Sequence, residues 1–241
     1  MGSSDVDART SAQVTRVSWQ AIAEHVVSAA RHRATGRIGL RPTPGGFGSP
    51  WFPAAGENGG DERRIRVDGR ELVIEERGDD GAHFERREPI STLRAAGALI
   101  GMEPGAPSHV YTPSTALDLD AELTIDPLAA ERLARFFVTV EHALDALRAD
   151  IDGGHATPDH AITLWPEHFD LATSIDEVNY GGSPADADHA EPYLYVGPWT
   201  PPPVDGGFWN EPFGASRPDA ATVTAAEALA FFREGRRHLS T

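Results

Sequence analysis

Apolar residues recur at helical spacing in three stretches of the chain. The first carries Trp19, Ile22, Val26, Ala29 and Ala30, with Ser18 as its expected N-cap and Gly36 as its end. Glu24 and the Arg31, His32, Arg33 cluster are expected on its opposite, solvated face. The second runs from the Asp126-Pro127 start through Leu128, Leu133, Phe136, Phe137, Val140, Leu144 and Leu147 to about Ala149, where Gly153 and Gly154 end it. The third opens on a Thr224/Glu227 capping box, carries Leu229 and Phe232, and closes on Arg233, Arg236, Arg237 and His238, where cations suit the helix dipole. A shorter helix, capped by Ser91, holds Leu93, Ala96, Gly97 and Ile100. Residues 1–16 show no such period and are expected to be a flexible polar lead, leaving 17–241 as one domain.

Alternating positions predict strands between these helices. Arg37 to Arg41 alternates about Ile38 and Leu40 and leads into a Gly/Pro loop, Pro42 to Pro53. Arg64 to Val67 and Arg70 to Arg77 match across Asp68-Gly69, which predicts a type I′ hairpin. A turn at Gly78 to Gly81 then gives a third strand, His83 to Arg87, and a meander with an Arg/Glu outer face. Gly56 to Asp61 reads as a mobile tip, and Leu117 to Ile125 as a strand with Asp118, Asp120 and Glu122 on its water-facing side. The sum is an α+β fold, a mostly antiparallel sheet with a long central helix and flanking N- and C-terminal helices. A helix, an Ile-x-Leu strand, then Pro and Phe occur at Trp19 to Phe52 and again at Leu133 to Phe169, which fits a duplicated α+β unit.

Composition narrows the partners. A net charge of −16 opposes a phosphate backbone and an anionic membrane surface, and no apolar window approaches the roughly 20 residues that span a bilayer, so neither nucleic acid nor membrane is expected. The N-terminus lacks the layout of a secretory signal and the chain has 0 cysteines, so the cytoplasm is the expected location. All 21 basic residues are arginine, which removes Schiff-base lysines as well as thiol chemistry.

The densest chemistry lies between Ile162 and Trp199. His168 and Asp170 stand two apart, as do His189 and Glu191, so extended segments would present each pair on one face. Such groups could supply a general base oriented by a carboxylate, a carboxylate pair such as Asp170 with Glu191, or part of a metal-dependent hydrolase site, although no zinc or iron spacing is present and no metal ligand is assigned. Ser183 sits in Gly-Gly-Ser-Pro, read as a turn, and lacks a nucleophile elbow. Gly45-Gly46-x-Gly48 does not open a helix and is no dinucleotide fingerprint.

Gly36 to Leu40, Val67 to Ile74, Leu117 to Asp120, Trp165 with Phe169-Asp170-Leu171-Ala172, His189 with Glu191, and Tyr193-x-Tyr195 resemble, in that order, an uncharacterised bacterial family of domains of unknown function. The likeness extends from about Trp19 to Phe213. The chain departs from that pattern by one extra residue between Trp165 and Phe169 and by the alanine between His189 and Glu191. The resemblance therefore points to Asp170, His189 and Glu191 rather than His168, and implies no reaction.

The resulting expectation is a small-molecule-binding protein or enzyme whose polar groups are Asp170, His189 and Glu191 and whose ligand is lined by Trp165, Tyr193, Tyr195 and Trp199. The alternative is an interaction or homo-oligomerisation module using the Pro-rich aromatic segment 198–213. The sequence leaves the cofactor and the oligomeric state open.

Overall fold

The computed structural model describes residues 3–54, 61–78, 80–153, 160–204 and 206–239. Their contacts form two compact units, Met1–Ala134 with Trp165–Glu167 and Arg135–Leu164 with His168–Thr241, and each unit combines helices with an antiparallel sheet. The fold is α+β.

In the first unit, helix α1 (Ser3–Ile22) runs through a π-helical segment (Ala23–Val27) into α2 (Ser28–Thr35), which stops at Gly36 with φ +73°. The sheet orders β1 (Arg41–Thr43), β2 (Gly46–Gly48), β4 (Glu62–Asp68), β5 (Glu71–Arg77) and β6 (His83–Pro89), with β3 (Phe52–Pro53) also on β4. Trp19 joins helix to sheet: its ring meets Phe47 edge-on at 5.6 Å and its Nε1 donates to the Gly69 carbonyl. Ile65 and Val67 pair with Ile74 and Leu72 as expected, and all four are buried. The outer face of the meander carries Arg–Glu pairs, including Arg64–Glu75 and Arg87–Glu71, while Arg63–Glu76 continues the face of Ile65 and Ile74.

Several expectations are corrected here. The lead is helical from Ser3, and Ser18 lies buried inside α1, where its hydroxyl donates to the Thr124 carbonyl at 2.9 Å. The first strand starts at Arg41, and the Gly/Pro run itself makes the β1–β2 hairpin. Glycine is required in that run, since a Cβ on Gly46 would sit 2.5 Å from the Val67 carbonyl oxygen. The β4–β5 turn is Gly69-Arg70, with positive φ at Gly69 only; that sign pattern belongs to a type II′ turn, not I′. Thr92, not Ser91, caps α3 (Leu93–Ile100), accepting from the Ala95 N–H at 3.1 Å. Gly56 to Asp61 lies almost wholly outside the described residues, as does the connection from His155 to His160.

Leu117 to Ile125 is coil, not strand. The Asp118 carboxylate accepts from the N–H groups of Asp120 and Ala121, an Asx-type turn that breaks the alternation. Backbone groups of this coil pair instead with side chains of the first helix: Ser18 reaches Thr124, and the Thr15 hydroxyl accepts from the Asp126 N–H.

Glu24 and His25 face inward, contrary to the solvated face expected for Glu24. The π turn adds a residue to one helical turn, and all five residues from Ala23 to Val27 are buried. Glu24 accepts from the N–H groups of Ser114 and Thr115 at 2.7 and 2.9 Å and from the Thr115 hydroxyl. Burial raises the Glu24 pKa above the ordinary carboxylate range, against the lowering effect of the hydrogen bonds from Thr115 and Ser114.

The division between the units falls within helix α4 (Pro127–Asp152). Asp126 caps it, its Oδ1 accepting from the Ala129 N–H at 2.8 Å, and its stripe is buried except for Leu128, which is 63% exposed. In the second unit, the sheet order is β11 (Ala215–Arg217), β10 (Tyr193–Pro198), β9 (Val178–Ser183), β8 (Asp170–Ile175) and β7 (Thr163–Trp165). Gly-Gly-Ser is therefore strand, and Ser183 is buried. The β8–β9 turn, Asp176-Glu177, has φ of 51° and 62° in two non-glycine residues, the backbone of a type I′ hairpin. Helix α5 (Ala225–Leu239) opens on the expected capping box, with the Thr224 N–H donating to Glu227 at 2.8 Å. Gly235 lets α5 approach Val196, where a Cβ would fall 2.8 Å from Cγ1.

Candidate functional site

The register of β8, β9 and β10 builds a polar face in the second unit. Leu171, Gly182 and Leu194 form one row, and Ala172, Gly181 and Tyr195 the next, pointing the other way. The two glycines serve opposite faces. A Cβ on Gly182 would be 2.8 Å from Val140 Cγ2 of α4, whereas one on Gly181 would be 2.5 Å from the Tyr195 hydroxyl. The bare backbone at Gly181 lets the Tyr195 ring lie across β9 and donate its hydroxyl to Asp170 on β8.

Tyr193, two residues earlier on the same face, has its ring 6.1 Å from that of Tyr195 and donates its hydroxyl to Asp186. Asp186 organises the 186–189 turn: its Oδ1 accepts from the N–H groups of Asp188 and His189 at 2.9 and 2.7 Å. His189 stacks on Tyr193 at 4.2 Å, with Nδ1 3.3 Å from Asp186 and Nε2 3.1 Å from Glu211. The Ser216 hydroxyl donates to the same Glu211 oxygen at 2.8 Å. A chain of hydrogen bonds thus runs Tyr193–Asp186–His189–Glu211–Ser216, beside the Tyr195–Asp170 pair.

Its electrostatics follow from donor and acceptor counts. Ionised carboxylates only accept, so a carboxylate at each ring nitrogen favours the doubly protonated imidazolium form of His189. Desolvation opposes that charge, but Glu211 and Asp186 outweigh it and hold the His189 pKa above its ordinary value. Against the effect of its own burial, Asp186 is kept below the usual carboxylate range by Tyr193 and the two backbone donors, and Glu211 is kept low by Ser216 and His189. Burial first, then the neighbouring carboxylates, push both tyrosines upward: Tyr193 by Asp186, Tyr195 by Asp170. The arrangement favours neutral tyrosines and a charged His189 clamp, and in that charged form the ring has no lone pair with which to take a proton from a substrate.

Of the residues singled out from sequence, Asp170, His189, Tyr193 and Tyr195 come together in this network. The two carboxylates on His189 are Asp186 and Glu211, where sequence reasoning named Glu191, which is half-buried in the loop before β10. Trp165 ends β7, belongs to the first unit and is 38% exposed; Trp199 is 64% exposed; His168 is exposed. Gly181 did carry a signal, because a glycine pair inside a strand marks close approach. Asp186 and Glu211 carried none, since each gains its role only when the 186–189 turn meets the segment before β11. Among the described residues, no group of three or more His, Asp or Glu could hold a metal ion.

Two surface clefts, of about 440 and 400 Å³, both lie in the first unit, one lined in part by His32, Arg33 and His109 and the other by Leu72, Pro89 and Leu99. None of the seven residues expected to form a site lines either cleft. No protein-family model, curated protein or solved structure matches the chain. Among the described residues, no helix is long and apolar enough to cross a membrane.

Proposed function

We propose that the chain is a protein-interaction module that docks an apolar, arginine- or lysine-bearing polypeptide segment on the edge of the second unit formed by Trp199 and Phe213. The observation that carries this reading is the state of Trp199. It is 64% exposed, its backbone N–H donates to the Glu177 carbonyl at 2.9 Å, and its indole Nε1 lies 3.4 Å from the Asn179 Oδ1. A large aromatic held out in water loses little conformational freedom on binding, and tryptophan is enriched among the residues that dominate interface energetics.

Phe213, also exposed, is near in chain path, since a Cβ on the next residue, Gly214, would be 2.9 Å from Cδ of Pro198, the residue before Trp199. The rest of the aromatic segment has another task. Phe208 stacks on His238 at 4.8 Å and meets Phe231 at 5.3 Å, and Trp209 is buried, so these rings close α5 onto its own unit. Exposed Glu177 beside Trp199 and the net charge of −16 favour a basic partner. The Tyr193–Asp186–His189–Glu211 network ties the loop before β10 to Glu211, two residues before Phe213.

The test is selection of a displayed random-peptide library on the full chain, followed by binding of the selected peptides to Trp199→Ala and Phe213→Ala. The expected result is apolar, basic peptides whose binding drops about tenfold or more in Trp199→Ala. Peptides that bind this variant as well as the original chain would overturn the reading. Sedimentation of the chain alone reports the competing outcome, self-association through the same edge.

A further inference from the structure

The cleft of about 440 Å³ in the first unit lies between the last turns of α2, with Ala29, His32 and Arg33, and the 105–109 segment, with Pro107, Ser108 and His109. Its second wall is fixed from below. The Gly105 N–H donates to the His25 carbonyl at 2.9 Å, and the Ala106 N–H donates to the His25 ring at 3.1 Å, so a buried side chain of the helix sets where the cleft stands. Across the opening, the rings of His32 and His109 meet edge-on at 5.1 Å.

Many arginines elsewhere are engaged by carboxylates, although Arg41, Arg70, Arg86, Arg132 and Arg217 form no ion pair among the described residues. Arg63, Arg64 and Arg66 on β4, Arg77 on β5 and Arg87 on β6 all pair with carboxylates, as do Arg233 and Arg236 on α5. Arg31, Arg33 and Arg37 form no ion pair among the described residues, and Arg31 has its pKa lowered by burial and by the charge of Arg37. In a chain with 37 acidic residues, Arg33 in the cleft wall, with Arg31 and Arg37 close to it in sequence, makes a locally cationic spot, and the two imidazoles add hydrogen-bonding groups. The C-terminal end of α2 opposes an anion in part, with the Arg31 and His32 carbonyls accepting from the Thr35 hydroxyl and the Gly36 N–H, so the arginine charge must outweigh the helix dipole.

We infer that this cleft binds a small organic phosphate, its phosphate held by Arg33, His32, His109 and Ser108 and its apolar body resting on Ala29 and Pro107. Size and chemistry agree, since small-molecule sites run to several hundred Å³ and combine apolar walls with a few convergent polar groups. Guanidinium and hydroxyl donors suit phosphate oxygens, and a dianion relieves the repulsion among the arginines. A nucleic acid fits less well: an extended polyanion meets the field of the whole acidic chain, whereas a small ligand senses charges within about one Debye length, near 8 Å at physiological salt. This site is independent of the aromatic edge of the other unit.

Calorimetric titration of the full chain with phenyl phosphate, inorganic phosphate and phenol tests it. The expected result is one saturable site for phenyl phosphate at low salt, weaker binding of inorganic phosphate and none of phenol. Binding should fall about tenfold in Arg33→Ala, less in His109→Ala, and not at all in Arg70→Ala, which removes an exposed arginine of the Gly69-Arg70 turn. Absence of a saturable site at millimolar ligand would overturn the inference. So would equal losses in Arg33→Ala and Arg70→Ala, which would mean attraction to charge anywhere on the surface. Arg33 is exposed, so its variant is expected to fold, and an unchanged unfolding midpoint confirms that the loss is one of binding.

Discussion

His25 in the first unit and His189 in the second both sit beside carboxylates, but the partners of their ring nitrogens differ. His25 Nδ1 accepts from the Ala106 N–H, which leaves Nε2 as the donor to the Thr115 carbonyl, and the neighbouring Glu24 spends its oxygens on Ser114 and Thr115. That pair is buried and serves backbone; it replaces the strand partner that the coil 105–126 lacks. His189 faces a carboxylate on each side and remains in reach of water. The same residue types make a fixed brace in one unit and a titratable clamp in the other, and the difference lies in whether backbone or charge occupies the second nitrogen.

The brace breaks hardest. Glu24→Ala removes three hydrogen bonds from a buried site and leaves the Ser114 and Thr115 N–H groups unpaired, so the stability lost is expected to be about 3 kcal/mol by denaturant unfolding, with Glu24→Gln costing less. Gly181→Ala comes next. Its Cβ would strike the Tyr195 ring and the Leu171 carbonyl at 2.5 to 2.6 Å, which costs about 2 kcal/mol and detaches Tyr195 from Asp170. A loss below about 0.5 kcal/mol in unfolding would show that the ring has room to move.

How far these features were legible in the sequence depends on where their hydrogen bonds end. The long helix, the meander, the pairing of Ile65 and Val67 with Ile74 and Leu72, and the Thr224/Glu227 box all follow from local spacing. What spacing could not carry was non-local. Glu24 reads as a solvated helix residue until the coil 90 positions away is in place, and Leu117 to Ile125 reads as a strand until Asp118 turns it. In the site, Asp170, His189, Tyr193 and Tyr195 were legible as chemistry, but the carboxylates that fix the state of His189 come from a turn and from a segment 22 residues on.

A gain in stability sharpens the contrast from the other side. Glu177→Gly relieves a left-handed backbone in the second residue of the β8–β9 turn and is expected to stabilise by about 1 kcal/mol in thermal unfolding; destabilisation would mean that the Glu177 side chain supports the turn. The clamp itself is the smallest effect, worth about 0.5 to 1 kcal/mol because its members are partly exposed and screened. Its pH dependence has a definite sign. The raised His189 pKa gives stability that is full below the unfolded histidine value of about 6.5 and is lost as pH rises through the folded value. The lowered pKa values of Asp186 and Glu211 give stability that is present above the unfolded carboxylate values near 4 and lost on further acidification. The stability difference between the chain and His189→Gln is therefore expected to peak between about pH 4.5 and 6.5 and to shrink above that window. A difference that grows with pH would reverse the assignment.

The protonation state of His189 is the most direct measurement. Nitrogen chemical shifts of the His189 ring, followed by NMR across pH 5 to 9, are expected to show both ring nitrogens protonated at the acid end and a midpoint above the free-histidine value of about 6.5, which falls in Glu211→Gln. A midpoint at or below the free-histidine value of about 6.5, unaffected by Glu211→Gln, would contradict the charged clamp and restore His189 as a base.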